Sequence, residues 1–212
     1  MNSKKNIILY LPLITYIVSS IILVYLYHTS EENIWAIPQI SQTHRPYGSS
    51  KSYSIYLVSF VIIGIISGLF YGNYIYLPDK PIVSRIIQCL GFAACFLNIV
   101  QGFFTLKAYP LIHEISAYGG IFLHLVALSL WIYINPKQLR GVQLSILLSW
   151  ISIFVMFILL FFCEGNKKRR LQVNNFFNDM GEELPPYCSY NGVGASQRLC
   201  VLFLLLSLVF FK

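Results

Sequence analysis

Residues 53–77, YSIYLVSFVIIGIISGLFYGNYIYL, form 25 consecutive positions without a charged side chain. A membrane core about 30 Å thick is crossed by about 20 apolar residues in a helix, so this stretch is long enough to span a bilayer. Hydrophobic residues make up 57% of the 212-residue chain and charged residues only 11%, whereas soluble domains carry about 25% charge. The composition therefore predicts that most of this protein lies in lipid.

Similar runs occur along the whole chain. They predict an all-α fold, a single membrane domain over residues 1–212 that is a polytopic transmembrane helix bundle. Pro81 suits the start of the third helix, because the first helical position tolerates proline. The six predicted membrane-spanning helices cover residues 6–27, 53–77, 86–106, 115–134, 142–163 and 193–211.

The sixth helix is the shortest of the set. Its charge-free part, residues 199–211, extends only about 20 Å at 1.5 Å per residue, which is too short for the membrane core. Either the helix begins near Val193 and Arg198 extends its guanidinium toward the headgroups, or the segment is truncated. If the segment does not span, the two termini lie on opposite faces.

Two long loops, residues 28–52 (loop one) and 164–192 (loop five), lie on the same face if the helices alternate in direction. The short loops between them favour antiparallel neighbours, so helices two to five are expected to form a compact bundle. Lys and Arg number seven on one face and eight on the other, so this count does not choose an orientation. The basic run at residues 167–170 either binds anionic lipid, if it is cytosolic, or is ordinary surface charge.

Small residues in the second helix indicate close helix packing. Gly64, Gly68 and Gly72 form a double G-x-x-x-G ladder, whose spacing places all three on one helix face. The ladder is expected either to pack inside the bundle or to form a homodimer interface.

A polar seam is predicted from Asn98, Gln101, His113 and His124, which lie in or beside the third and fourth helices. Asn98 and Gln101 would be costly against lipid and are expected to face the bundle. The seam is interpreted as interhelical hydrogen bonding or as a pathway for a lipid headgroup or an ion. His124, which shares a helix face with Ser116 and Gly120, is expected to meet the third helix as a packing residue or a proton relay.

Motifs for catalysis and metal binding are not found in the sequence. His113-Glu114 begins like H-E-x-x-H, but Ala117 stands where the second histidine of a zinc pair would be. We expect no catalytic residues, no metal and no cofactor. The net charge of +7 does not indicate nucleic-acid binding, because the basic residues belong to no segment with a soluble fold.

Several short motifs resemble those of the DRAM family, the autophagy-modulator membrane proteins of a superfamily that includes Sfk-type and GPI-anchor lipid-remodelling proteins. After Leu11-Pro12 in the first helix, loop one contains Pro38-Gln39-Ile40-Ser41-Gln42, which is similar to the family's proline-x-isoleucine-serine-aspartate element. Leu90-Gly91-Phe92, followed by Asn98-Ile99-Val100-Gln101, resembles its leucine-glycine and asparagine-glutamine pattern. His113 resembles the histidine before the family's fourth helix.

The resemblance also has departures. Gln42 replaces the family's aspartate, and Ser116 stands where glycine is usual. Ala195-Ser196-Gln197 lies near the place of a family acidic residue. The resemblance implies six helices with both termini cytosolic, which agrees with seven basic residues inside against four outside when residues 167–170 are left out.

The function implied by the resemblance is non-catalytic regulation of autophagy at the lysosomal membrane or another endomembrane. Pro38, Ile40 and Ser41 then form a lumenal element in loop one, and loops one and five are expected to cap the polar seam. The alternative is a lipid-handling protein of the Golgi or plasma membrane, either for GPI-anchor lipid remodelling or for phosphoinositide organisation. Expected partners are the lipid bilayer and specific lipids or other membrane proteins, and not nucleic acid.

Overall fold

A computed structural model describes residues 3–29, 40, 50–104, 109–135, 140–164 and 190–211 of the chain. This part contains six helices, and each has the length and apolar composition to cross a membrane. The predicted all-α, multi-pass membrane fold is therefore confirmed. In chain order, the helices are α1 (Ser3–His28), α2 (Ser50–Tyr74), α3 (Pro81–Phe103), α4 (Pro110–Ile134), α5 (Arg140–Glu164) and α6 (Tyr190–Val209).

The helix ends differ from the charge-free runs by several residues. The helices extend beyond the charge-free runs and include Lys51, Arg85 and Arg140 near their ends. These residues are tolerated there because a long basic side chain can extend its charge toward water. Pro81 and Pro110 occupy the first turns of α3 and α4, where a missing N–H costs nothing. α6 begins before Val193, so it includes Arg198 and reaches 20 residues.

The exterior of the described bundle is apolar. All six helices expose large hydrophobic side chains; examples in chain order are Ile21, Ile65, Phe96, Phe122, Phe154 and Leu199. In water such a surface would be unfavourable by about 25 cal/mol per Å² of apolar area, whereas lipid chains solvate it without cost.

Consecutive helices run antiparallel. The start of α2 meets the end of α3, where the Tyr53 hydroxyl donates to the Phe103 carbonyl at 3.2 Å. The end of α2 meets the start of α3, where Gln88 Nε2 donates to the Tyr71 carbonyl at 3.1 Å. The start of α2, the end of α3 and the start of α4 therefore lie on one side of the bundle, which we call the loop-one side.

The helix order around the bundle departs from the expected compact set of helices two to five. α2, α3 and α4 pack side by side, whereas α5 packs chiefly on α6 and touches α4 only slightly. The Ser149 hydroxyl in α5 donates to the Cys200 carbonyl of α6 at 3.1 Å. Short loops fix the direction of successive helices but not the extent of their contact, and α6 offers α5 the larger surface.

The glycine ladder faces α3 rather than lipid. A Cβ added at Gly64 would lie 2.9 Å from the Cys95 carbonyl oxygen and 2.6 Å from Ile99 Cγ1. At Gly68 and Gly72 the nearest atoms belong to the Phe92 ring, at 3.9 and 3.6 Å. Gly64 is buried, Gly68 is half-buried and Gly72 is exposed, so only Gly64 brings the two helix backbones into close contact.

Gly64→Ala is expected to destabilise the protein by about 1–3 kcal/mol, because the Cys95 backbone cannot move without shifting α3. Gly68→Ala is the matched control, since its methyl group has an ordinary contact distance and alanine favours the helix. Thermal unfolding in detergent micelles measures both variants. Equal melting temperatures for Gly64→Ala and the wild type would contradict the close approach of α2 and α3.

The membrane topology gives a second prediction. Six spanning helices would place both termini on the same face, and the resemblance to the DRAM family predicts that this face is cytosolic. Epitope tags at Met1 and after Lys212 are both expected to be accessible after selective plasma-membrane permeabilisation. Tags on opposite faces would show that α6 does not cross the membrane.

Candidate functional site

Buried polar side chains from five helices surround a cavity in the bundle interior. Its polar lining comes from Tyr16 of α1, Ser67 of α2, Asn98 and Gln101 of α3, His124 of α4 and Gln197 of α6. Aliphatic side chains of α2, α4 and α6 complete the wall, and Ile40 of loop one also contacts it. Three of the four seam residues predicted from sequence therefore meet at one place.

His124 is held between two side chains from neighbouring helices. Asn98 Nδ2 lies 3.0 Å from His124 Nε2, and the Tyr71 hydroxyl lies 3.0 Å from His124 Nδ1. When the Asn98 amide donates to Nε2, the single proton of a neutral imidazole resides on Nδ1 and is donated to the Tyr71 oxygen. The Tyr71 and His124 rings also stack, with centroids 5.5 Å apart. Both ring nitrogens of His124 therefore have protein partners in the membrane interior.

Two glycines make room for the partners of His124. A Cβ at Gly91 would overlap the Tyr71 ring, so the absence of a side chain there lets the ring lie flat on α3. A Cβ at Gly120 would lie 2.7 Å from Asn98 Oδ1 and 3.4 Å from the Ala94 carbonyl oxygen. Gly91 and Gly120 thus set the positions of the two groups that bond His124.

A second set of polar contacts lies nearer the loop-one side. Gln101 Nε2 donates to the Tyr56 hydroxyl at 2.8 Å, and Tyr56 is fully buried. His113 Nδ1 donates to the Phe104 carbonyl at 2.7 Å, at the end of α3 where helix carbonyls have no partner in their own helix. The Tyr56 and His113 rings stack with centroids 6.5 Å apart. His113 thus stabilises the α3–α4 connection and lies outside the cavity lining.

Loop one meets α6 through a backbone hydrogen bond. The Ile40 N–H donates to Gln197 Oε1 at 2.9 Å, and both residues are buried. At the next residue of α6, the Arg198 carbonyl accepts a hydrogen bond from the Tyr16 hydroxyl at 3.1 Å, which links α1 to α6. Of the predicted lumenal element, Ile40 therefore contacts the cavity, whereas Pro38, Ser41 and loop five lie outside the described residues.

Several members of the site escaped the sequence analysis. Tyr56 and Tyr71 are the partners of Gln101 and His124, but tyrosine occurs 15 times in the chain, so its presence in an apolar run is not informative. Gln197 was noted only as a departure from a family pattern. Helical spacing offered one usable signal, because Tyr56, Ile63 and Phe70 share the buried face of α2.

The arrangement suits hydrogen bonding between helices better than bond-making chemistry. His124 bonds Asn98 of α3 and Tyr71 of α2. Gln101 of α3 bonds Tyr56 of α2. Among the described residues, no group of three or more histidine, cysteine or acidic side chains could hold a metal ion. Comparison of the chain with protein-family models, curated proteins and solved structures gave no match.

Proposed function

We propose that this multi-pass membrane protein is a DRAM-like regulator of autophagy that acts without catalysis at the lysosomal membrane or another endomembrane. The family assignment and the compartment rest on the resemblance of the short motifs in loop one, α3 and α4. The observation that carries the proposal is the hydrogen bond between Ile40 and Gln197, because it attaches Ile40 of the loop-one element to α6.

The bond between Ile40 and Gln197 joins segments 157 residues apart. The acceptor is a side chain and the donor is a backbone N–H, so the bond depends on Gln197 and not on the side chain at position 40. A net contribution of about 1 kcal/mol is typical for such a bond. Ile40 is thereby held against α6, and we propose that the loop-one element around it recognises a partner protein or lipid headgroup.

The environment of His124 supports a non-catalytic role. A general base needs a nitrogen that can approach the proton it removes, and both His124 nitrogens are engaged by Tyr71 and Asn98. The seam then serves to hold α2, α3 and α4 together.

A specific observation favours a second function, handling of anionic lipids at the Golgi or plasma membrane. Arg198 is half-buried within the membrane-spanning part of α6, immediately after the glutamine that holds loop one. The planar guanidinium of arginine presents its N–H donors as a fork, and this geometry matches the oxygens of a phosphate group. GPI-anchor lipid remodelling and phosphoinositide organisation both involve lipids whose headgroups contain phosphate.

Cellular location separates the two functions. The full-length chain, tagged at its C-terminus and expressed at its native level, is expected on lysosomes, and removal of the gene is expected to lower autophagic flux. Flux is measured as turnover of a lipidated autophagosome marker with and without a block of lysosomal acidification. Golgi or plasma-membrane location with normal flux would reject the autophagy function and favour the lipid function.

A further inference from the structure

The Ser67 hydroxyl takes no part in the hydrogen bonds described for the polar seam. Ser67 has no solvent exposure, and its Oγ has no hydrogen-bond partner among the described residues. Serine hydroxyls in membrane helices usually donate to a carbonyl one turn earlier, as Ser59 does to Ile55 at 2.6 Å. Ser67 instead lines the cavity that also contacts Asn98 and His124.

An unsatisfied buried hydroxyl costs about 1–3 kcal/mol, so a ligand that supplies a hydrogen bond to Ser67 is favoured. The cavity also presents the side-chain amides of Asn98, Gln101 and Gln197, and each amide has both donor and acceptor atoms. A buried water molecule requires two to four such polar partners. The polar lining is therefore sufficient to hold water in the interior of the bundle.

The size of the cavity decides which class of ligand fits. Its volume is about 30 Å³, and one water molecule needs about 10–15 Å³ measured in the same way. Apolar ligands such as benzene occupy engineered cavities of about 150 Å³. One or two water molecules fit the space, whereas an acyl chain or an aromatic ring does not.

We propose that the cavity is an internal water site, in which one or two ordered water molecules bond Ser67 Oγ and join α2 to the amides of α3 and α6. The bound water supplies the hydrogen bond that the Ser67 hydroxyl does not make with the described residues. The site is independent of the proposed role in autophagy, because it depends only on the interior of the bundle.

The direct test is a high-resolution cryo-electron microscopy map of the full chain in a lipid nanodisc, enlarged with a bound antibody fragment. Compact density within hydrogen-bond distance of Ser67 Oγ is expected. Its absence, or continuous elongated density from a lipid chain, would overturn the proposal.

A stability comparison tests the same site in solution. Ser67→Ala is expected to lower the melting temperature by a few degrees, because the water loses one of its anchors. Ser59→Ala is the matched control, a buried serine of the same helix whose only described bond is within α2, and it is expected to melt near the wild type. A dry cavity predicts the opposite sign for Ser67→Ala, since removal of an unsatisfied hydroxyl stabilises the fold. If the two tests disagree, the density beside Ser67 decides.

Discussion

Gly91→Ala is expected to cause the largest loss of stability among the single substitutions considered for this bundle. The added methyl group would overlap the Tyr71 ring, and that ring is fully buried, so it has no space to retreat into. Overpacking of this kind costs about 1–3 kcal/mol and occasionally more. Displacement of Tyr71 also breaks its bond to His124, which leaves a buried ring nitrogen without that partner. We expect a melting temperature lowered by several degrees and a reduced yield of folded protein.

Gly72→Ala is the matched control for Gly91→Ala. Its Cβ would lie 3.6 Å from Phe92 Cζ, an ordinary contact distance, on the same pair of helices. Alanine favours a helix over glycine by about 1 kcal/mol, so the control is expected to melt at or above the wild-type temperature. Equal stability of the two variants would mean that Tyr71 does not lie against Gly91.

Asn98→Leu is expected to have the second largest effect. An interhelical hydrogen bond in a membrane protein contributes only about 0.6 kcal/mol on average. The larger cost comes from His124, since a buried polar atom left without its partner costs about 1–3 kcal/mol. Leucine would also occupy the space beside Gly120 that now holds Asn98 Oδ1. Thermal unfolding should therefore show a destabilised bundle.

Asn73→Leu is the control for that substitution. Asn73 is exposed, and its described bond is to the Leu69 carbonyl of its own helix, so its replacement leaves the contacts between helices intact. A wild-type melting temperature for Asn98→Leu would show that the bond to His124 contributes nothing to the fold.

The membrane fold could be predicted from the sequence because lipid imposes a simple rule, about 20 apolar residues for each crossing. The bounds of the helices could not be predicted as closely. Charge-free runs mark the membrane core, whereas α3 begins at Pro81 and carries Arg85 beyond that core. The pairing of α5 with α6 was also missed, because the apolar residues of these two helices show almost no helical periodicity.

Part of the candidate site was visible in the sequence. Asn98, Gln101 and His124 are costly in lipid, so their positions at helical spacing predicted that they face one another. Their tyrosine partners were not predicted, because tyrosine occurs in the bundle core, at the membrane interface and facing lipid. The contact of Ile40 with Gln197 could not be predicted either, since nothing local to either residue encodes a bond across 157 positions.

We proposed that the loop-one element, attached to α6 through Ile40 and Gln197, regulates autophagy, and Gln197→Ala tests that proposal. Loss of a bond worth about 1 kcal/mol lowers the docked population of loop one about fivefold relative to the undocked population. Gln197→Glu retains an oxygen acceptor for the Ile40 N–H. Gln88→Ala removes a glutamine that bonds the Tyr71 carbonyl of α2, with no contact to loop one among its described bonds.

The measurement is autophagic flux per folded molecule in cells where each variant replaces the endogenous protein at equal abundance and location. A severalfold loss of flux is predicted for Gln197→Ala, with wild-type flux for Gln88→Ala and retained flux for Gln197→Glu. Wild-type flux in a correctly located Gln197→Ala variant would contradict the proposal that the attachment of Ile40 to α6 is needed for the function of this protein.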